Sequence, residues 1–102
     1  MLTTEEFKEA TLTTEPRSQQ LRDVDAALDG YWEVERSAGQ DPVVRIYALT
    51  MLIAAINKWT ASEGRNAPVG KTIRSLRLNA VVTMNNQAKQ LRSQLKKSTG
   101  VR

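Results

Sequence analysis

The side chains of this chain that could do chemistry are unevenly spread. Residues 1–63 hold all eleven acids against six bases, a net of −5, whereas residues 64–102 hold nine bases and no acid, a net of +9. On a helical projection of about 100° per residue, Lys71, Arg74, Lys89, Arg92 and Lys96 fall within roughly one third of the circumference, with Arg77 just outside. A one-sided basic row without acids is the electrostatic signature of a surface for an anion, either nucleic-acid phosphates or the carboxylates of an acidic partner. A structural role competes with it. Asp25, Asp29 and Glu33 recur every four residues beside an apolar face and, laid against the basic row, would pair with it and mask it. Such pairs add about 0–1 kcal/mol each but set helix order. This internal pairing is the preferred expectation, and a free polyanion surface is the alternative.

Other chemistry is excluded by what the chain lacks. It has no histidine and no cysteine. Thiol nucleophiles, disulfides, zinc thiolate sites and Ser-His-Asp relays therefore cannot be assembled from it. The run Gly64 to Thr72, GRNAPVGKT, resembles a phosphate-binding loop, but five residues separate its two glycines where that loop needs four. It also follows a helical segment instead of a buried strand, and no acid after Glu63 is available to hold magnesium. Gly64, Pro68 and Gly70 read as turn punctuation. The carboxylates Asp25, Asp29 and Glu33 have no cleft to raise a pKa and read as a solvated face. No catalytic residue, cofactor site or metal site is expected, and no small-molecule substrate.

Three segments carry the spacing of helices that would position these groups. Leu21, Val24, Leu28 and Tyr31 mark a first, from about 16, with Pro16 in its first turn, to about 38, running out near Gly39. Asp41 followed by Pro42 is a start signal, an acid to cap free amides and a proline where no N–H is needed. That second helix runs to about Ser62, with Gly64 as its stop. Ile73, Leu76, Ala80, Met84, Ala88, Leu91 and Leu95 mark the third, from Gly70 or Lys71 to about Ser98, roughly 40 Å long. Before them, Thr3 or Thr4 can cap one extra turn over Glu5 to Ala10, with Thr11 to Glu15 as a linker.

The second helix is apolar nearly all round. Ile46, Leu49, Ile53 and Ile56 form one face, and Val44, Tyr47, Met51 and Ala54 cover much of the other, the pattern of a helix buried between neighbours. It would lie between the first and third, or its second face would meet another chain, with Trp32, Tyr47, Met51 and Trp59 as the candidate association surface. The expected fold is all-α, a three-helix bundle with a central apolar helix and a long basic C-terminal helix. Residues 1–15 form an N-terminal segment and 16–102 a single helical domain.

At 40% apolar and 25% charged, the composition is that of a globular domain and not of a disordered chain. The start MLTTEEFKEA is acidic and lacks the basic start and apolar run of a signal peptide. The longest apolar stretch, between Arg45 and Lys58, is shorter than the roughly 20 residues that cross a bilayer. The expected location is cytoplasmic, with secretion lacking a cleaved signal left open.

Leu28, Tyr31 and Trp32 closing one helix, then Arg45, Leu49, Leu52, Ile53, Ile56 and Trp59 on a second, then a Gly/Arg/Asn loop and a basic amphipathic helix form an ordered pattern over residues 20–97. It resembles the helical accessory segments found beside toxin domains in bacterial polymorphic toxins and secreted effectors. The resemblance implies a segment for delivery, folding or docking, without a toxin active-site motif. The expected function is accordingly a non-enzymatic protein–protein interaction module, able to self-associate. The alternative is a small nucleic-acid-binding protein that uses the basic row.

Overall fold

The computed structural model describes residues 1–12, 16–37, 41–63 and 67–99. Four helices make up nearly all of these: α1 (Thr4–Ala10), α2 (Gln19–Ser37), α3 (Pro42–Glu63) and α4 (Ala67–Thr99). No strand occurs among the described residues, and the fold is all-α. The helix count is four because the N-terminal segment forms a complete helix of its own.

Local capping explains where the first three helices begin. The Thr3 hydroxyl accepts the Glu6 amide at 3.2 Å while the Glu6 carboxylate accepts the Thr3 amide at 2.9 Å, a reciprocal box that satisfies two free donors. The Thr3 amide, followed by its hydroxyl, holds the Glu6 carboxyl below its ordinary value. Ser18 starts α2: its hydroxyl accepts from the Leu21 amide at 3.2 Å and its carbonyl from the Arg22 amide at 3.0 Å. Pro16, expected in the first turn, instead stands before the helix. At α3 the Asp41 carboxylate accepts the Val43 amide at 3.0 Å and Pro42 takes the first helical position, as expected.

The start of α4 departs from expectation. Pro68 and Gly70 are not turn residues but lie inside the helix, which begins at Ala67. A proline costs little in a first turn, where its missing N–H has no intrahelical partner. Gly70 is buried, and a Cβ there would sit 3.1 Å from the Arg74 guanidinium and 4.0 Å from the Trp59 ring. The tight contact is with a flexible side chain one turn along α4 itself, and the Trp59 ring of α3 lies at ordinary van der Waals distance. Gly39, Gly64 and residues 13–15, expected as connections, lie outside the described residues.

The long helices run antiparallel to their sequence neighbours. Ser18, before α2, donates to Glu63 at the end of α3, while Glu35 near the end of α2 pairs with Arg45 near the start of α3. Across the next seam Arg77 donates to Asn57 at 3.1 Å and Thr50 to the Met84 sulfur at 3.8 Å. Helix α3 packs on both α2 and α4, whereas no Cα atoms of α2 and α4 come within 8 Å of each other. Helix α1 packs on α2 and α4 and not on α3, so it closes the side that α3 leaves open. Fully buried Phe7 joins Val24, Leu28, Leu49, Leu52, Ile56, Ile73 and Leu76 in one core. The body measures 60 × 24 × 17 Å. Its long dimension follows α4, whose 33 residues span about 50 Å. No helix among the described residues is long and apolar enough to cross a membrane.

Candidate interaction surfaces

The acids of α2 do not meet the bases of α4. Asp25 forms a two-pronged pair with Arg17, at 2.8 Å to Nε and 2.6 Å to Nη2. Asp29 accepts from the Thr4 hydroxyl at 3.4 Å, and Glu33 pairs with Arg36 one turn on. The pairing expected between Asp25, Asp29 and Glu33 and the basic row is therefore not made. The reason is placement: α3 lies beside both helices, α1 fills the other side, and of the three acids Asp29 is held by α1, Asp25 by the segment before α2 and Glu33 within α2 itself.

The basic row faces outward. Lys71, Arg74, Arg77, Lys89, Arg92 and Lys96 are all exposed. Arg77 stands apart from the rest because its Nε donates to Asn57 at the α3 seam. Leu78 and Val82 occupy the same outward side of α4 and are 63% and 49% exposed. They divide the row into a group at Lys71 and Arg74 and a group at Lys89, Arg92 and Lys96. Both stand outside the apolar series read from the spacing, of which Ile73, Leu76 and Ala80 are buried, Met84, Ala88 and Leu91 partly buried and Leu95, expected on the core side, 55% exposed. The hollow lined by Lys89, Arg92, Ser93, Leu95 and Lys96 is an open depression on one helix and encloses nothing.

A second surface lies on α3. Leu49, Leu52, Ile56 and Trp59 point into the core, while Val43, Val44, Tyr47 and Met51 are exposed. Trp59, grouped with that surface on sequence, is only 3% exposed and belongs to the core. Trp32 is partly buried; its indole N–H donates to the Leu2 carbonyl at 2.9 Å and its ring meets Tyr31 edge-on at 5.1 Å. The two tryptophans thus pack within the chain, and the exposed part of the candidate surface is Tyr47 and Met51.

Two buried polar knots hold the helices that present these surfaces. Arg17 spans one: beyond Asp25 it donates to the Thr11 hydroxyl at 3.0 Å and the Thr11 carbonyl at 3.3 Å, and its guanidinium lies 6.0 Å from the Phe7 ring centre. It ties the end of α1 to α2. In the other, Tyr31 donates to Glu35 at 2.8 Å, and Glu35 pairs with Arg45 at 3.2 Å across the α2–α3 seam.

Burial, and then the bond to Glu35, push the Tyr31 phenol well above its ordinary value of 10.0. The folded state keeps the neutral phenol, so this contribution to stability is complete below pH 10 and declines as pH rises beyond it. Urea unfolding from pH 8 to 12 should show an alkaline loss of stability that Tyr31→Phe makes shallower. An unchanged alkaline limb in that variant would assign the loss to other groups.

No protein-family model matches this chain, and neither does any curated protein or solved structure, so its function has to be read from the surfaces themselves.

Proposed function

We propose that this protein is a non-enzymatic docking module, in the manner of the helical accessory segments it resembles. In this reading α2, α3 and α4 form a three-helix bundle centred on α3, and two copies associate through the outer stripe of α3. The observation that carries the proposal is the absence of charge from that stripe. Between Pro42 and Asn57 the one charged residue is Arg45, which is buried and turned toward Glu35. Tyr47 and Met51 are nevertheless 69% and 51% exposed. Interface centres are depleted in charge and enriched in tyrosine and methionine, and an uncharged apolar stripe on a protein with 25% charged residues fits that composition. The absence of histidine and cysteine, and the open form of the hollow on α4, support a role without catalysis.

Light scattering coupled to size exclusion at tens of micromolar should find a dimer or higher oligomer. Met51→Glu or Tyr47→Glu should shift it to monomer with an unchanged helical circular dichroism spectrum, because neither side chain is part of the core. A folded monomer at every concentration tested would refute association through this face.

A further inference from the structure

We infer that the outward face of α4 is a binding surface for duplex DNA, with its two basic groups on phosphates and the side chains between them turned to the groove. It is a different surface from the α3 stripe and does not depend on association. Lys71 and Arg74 lie one turn apart, Lys89, Arg92 and Lys96 span two turns, and about 22 Å of helix separates Arg74 from Lys89. Ion pairs among the described residues are made elsewhere, by Arg17 with Asp25, Arg36 with Glu33 and Arg45 with Glu35. The five bases of the row are exposed, on a helix that carries no acid along its whole length.

The residues between and beside the two groups decide which polyanion fits. Leu78 and Val82 supply apolar contact, and exposed Asn85 and Asn86 supply both donors and acceptors. Base edges present that mixture, with donor and acceptor positions and the thymine methyl. A carboxylate surface offers acceptors alone and would leave the amide oxygens and the leucine unmatched. Placement agrees, because α4 packs against α3 and α1 while its basic side is turned to solvent. A single helix on the border of the fold can enter a major groove about 12 Å wide. The deep, narrow major groove of duplex RNA would not admit it.

Fluorescence anisotropy with a labelled 20-base-pair DNA duplex between 50 and 200 mM NaCl tests this. Five phosphate contacts predict that wild-type affinity falls about 500-fold over that range. The triple variant Arg74→Gln, Lys89→Gln, Arg92→Gln should lose only about 12-fold over the same range, having two contacts left. Its melting temperature should be unchanged, since these side chains hold no acid in the fold. Met51→Glu, which acts on the other surface, should leave the salt dependence as it is. The inference is overturned if the wild type does not bind the duplex at 50 mM NaCl, or if the triple variant keeps the wild-type salt dependence. It is also overturned if labelled polyglutamate or duplex RNA of equal charge binds as tightly, which would assign the face to acidic proteins or to phosphate in any arrangement.

Discussion

Leu52→Ala is expected to cost about 4 kcal/mol of folding stability, while Met51→Ala, one residue earlier, should cost less than about 0.5 kcal/mol. Leu52 is completely buried on the inner side of α3, and Met51 is half-exposed on the outer side. Leucine truncations in cores range over about 2–5 kcal/mol according to how far the surroundings relax. The upper part of that range applies here because α3 is held from both flanks, by α2 and by α4, so closing the hole would require two helices to move. Natural domains have about 5–15 kcal/mol in all, so the loss is a large share and corresponds to a fall of roughly 16–32 °C in Tm. Thermal melts at low protein concentration, where association contributes nothing, would measure both variants. Equal costs at the two positions would show that the two sides of α3 are not the inside and outside of the fold.

Asp25→Ala should cost about 3 kcal/mol, read from urea unfolding curves. Removing the carboxylate leaves the Arg17 guanidinium largely buried, with its side chain 20% exposed, among Phe7, Thr11 and the α2 surface. An uncompensated buried charge costs about 3–5 kcal/mol, and the remaining Thr11 contacts together with the partial exposure place this case at the low end. The double change Arg17→Met with Asp25→Leu should cost less than either single change, because it leaves neither charge stranded. If the double change loses the sum of the two singles, the pair is not acting as a unit.

Much of the architecture was legible in the sequence because it is local. The three- and four-residue spacing of Leu21, Val24, Leu28 and Tyr31, and of Ile73, Leu76 and Ala80, marks residues that are buried in the structure. Asp41 with Pro42 could be read as a helix start because a cap involves only the next three residues. Ser18 was overshadowed by Pro16, since proline is the louder signal and serine supplies the hydrogen bond. Pro68 and Gly70 misled in the opposite sense. Their preference for turns is averaged over many proteins, whereas here the first turn of α4 takes both.

The surfaces were legible as faces but not as neighbours. A projection shows that Asp25, Asp29 and Glu33 share a side of their helix and that the bases share a side of theirs. It says nothing of which helix comes opposite. That is set by core burial, and core burial put α3 beside both and kept α2 and α4 out of contact. Trp59 could not be sorted from Tyr47 for the same reason, on a helix whose apolar residues run all round. The Arg17 knot left no periodic trace at all, because Arg17 stands before α2 and its partners Thr11 and Asp25 belong to no shared helical repeat.

The order in which the helices touch has a bearing on how the chain folds. α2 packs on α3 and α3 on α4, so these contacts join segments separated by a single short connection and little loop-closure entropy opposes them. Helical topologies of this kind fold on the microsecond-to-millisecond scale. The contact of α1 with α4 is the exception, for it joins segments separated in sequence by all of α2 and α3 and rests on seven helical residues. That closure is expected to come last in folding and to open first in the native state. The packing of Phe7, at the chain's beginning, would then report on the most easily opened part of the native fold.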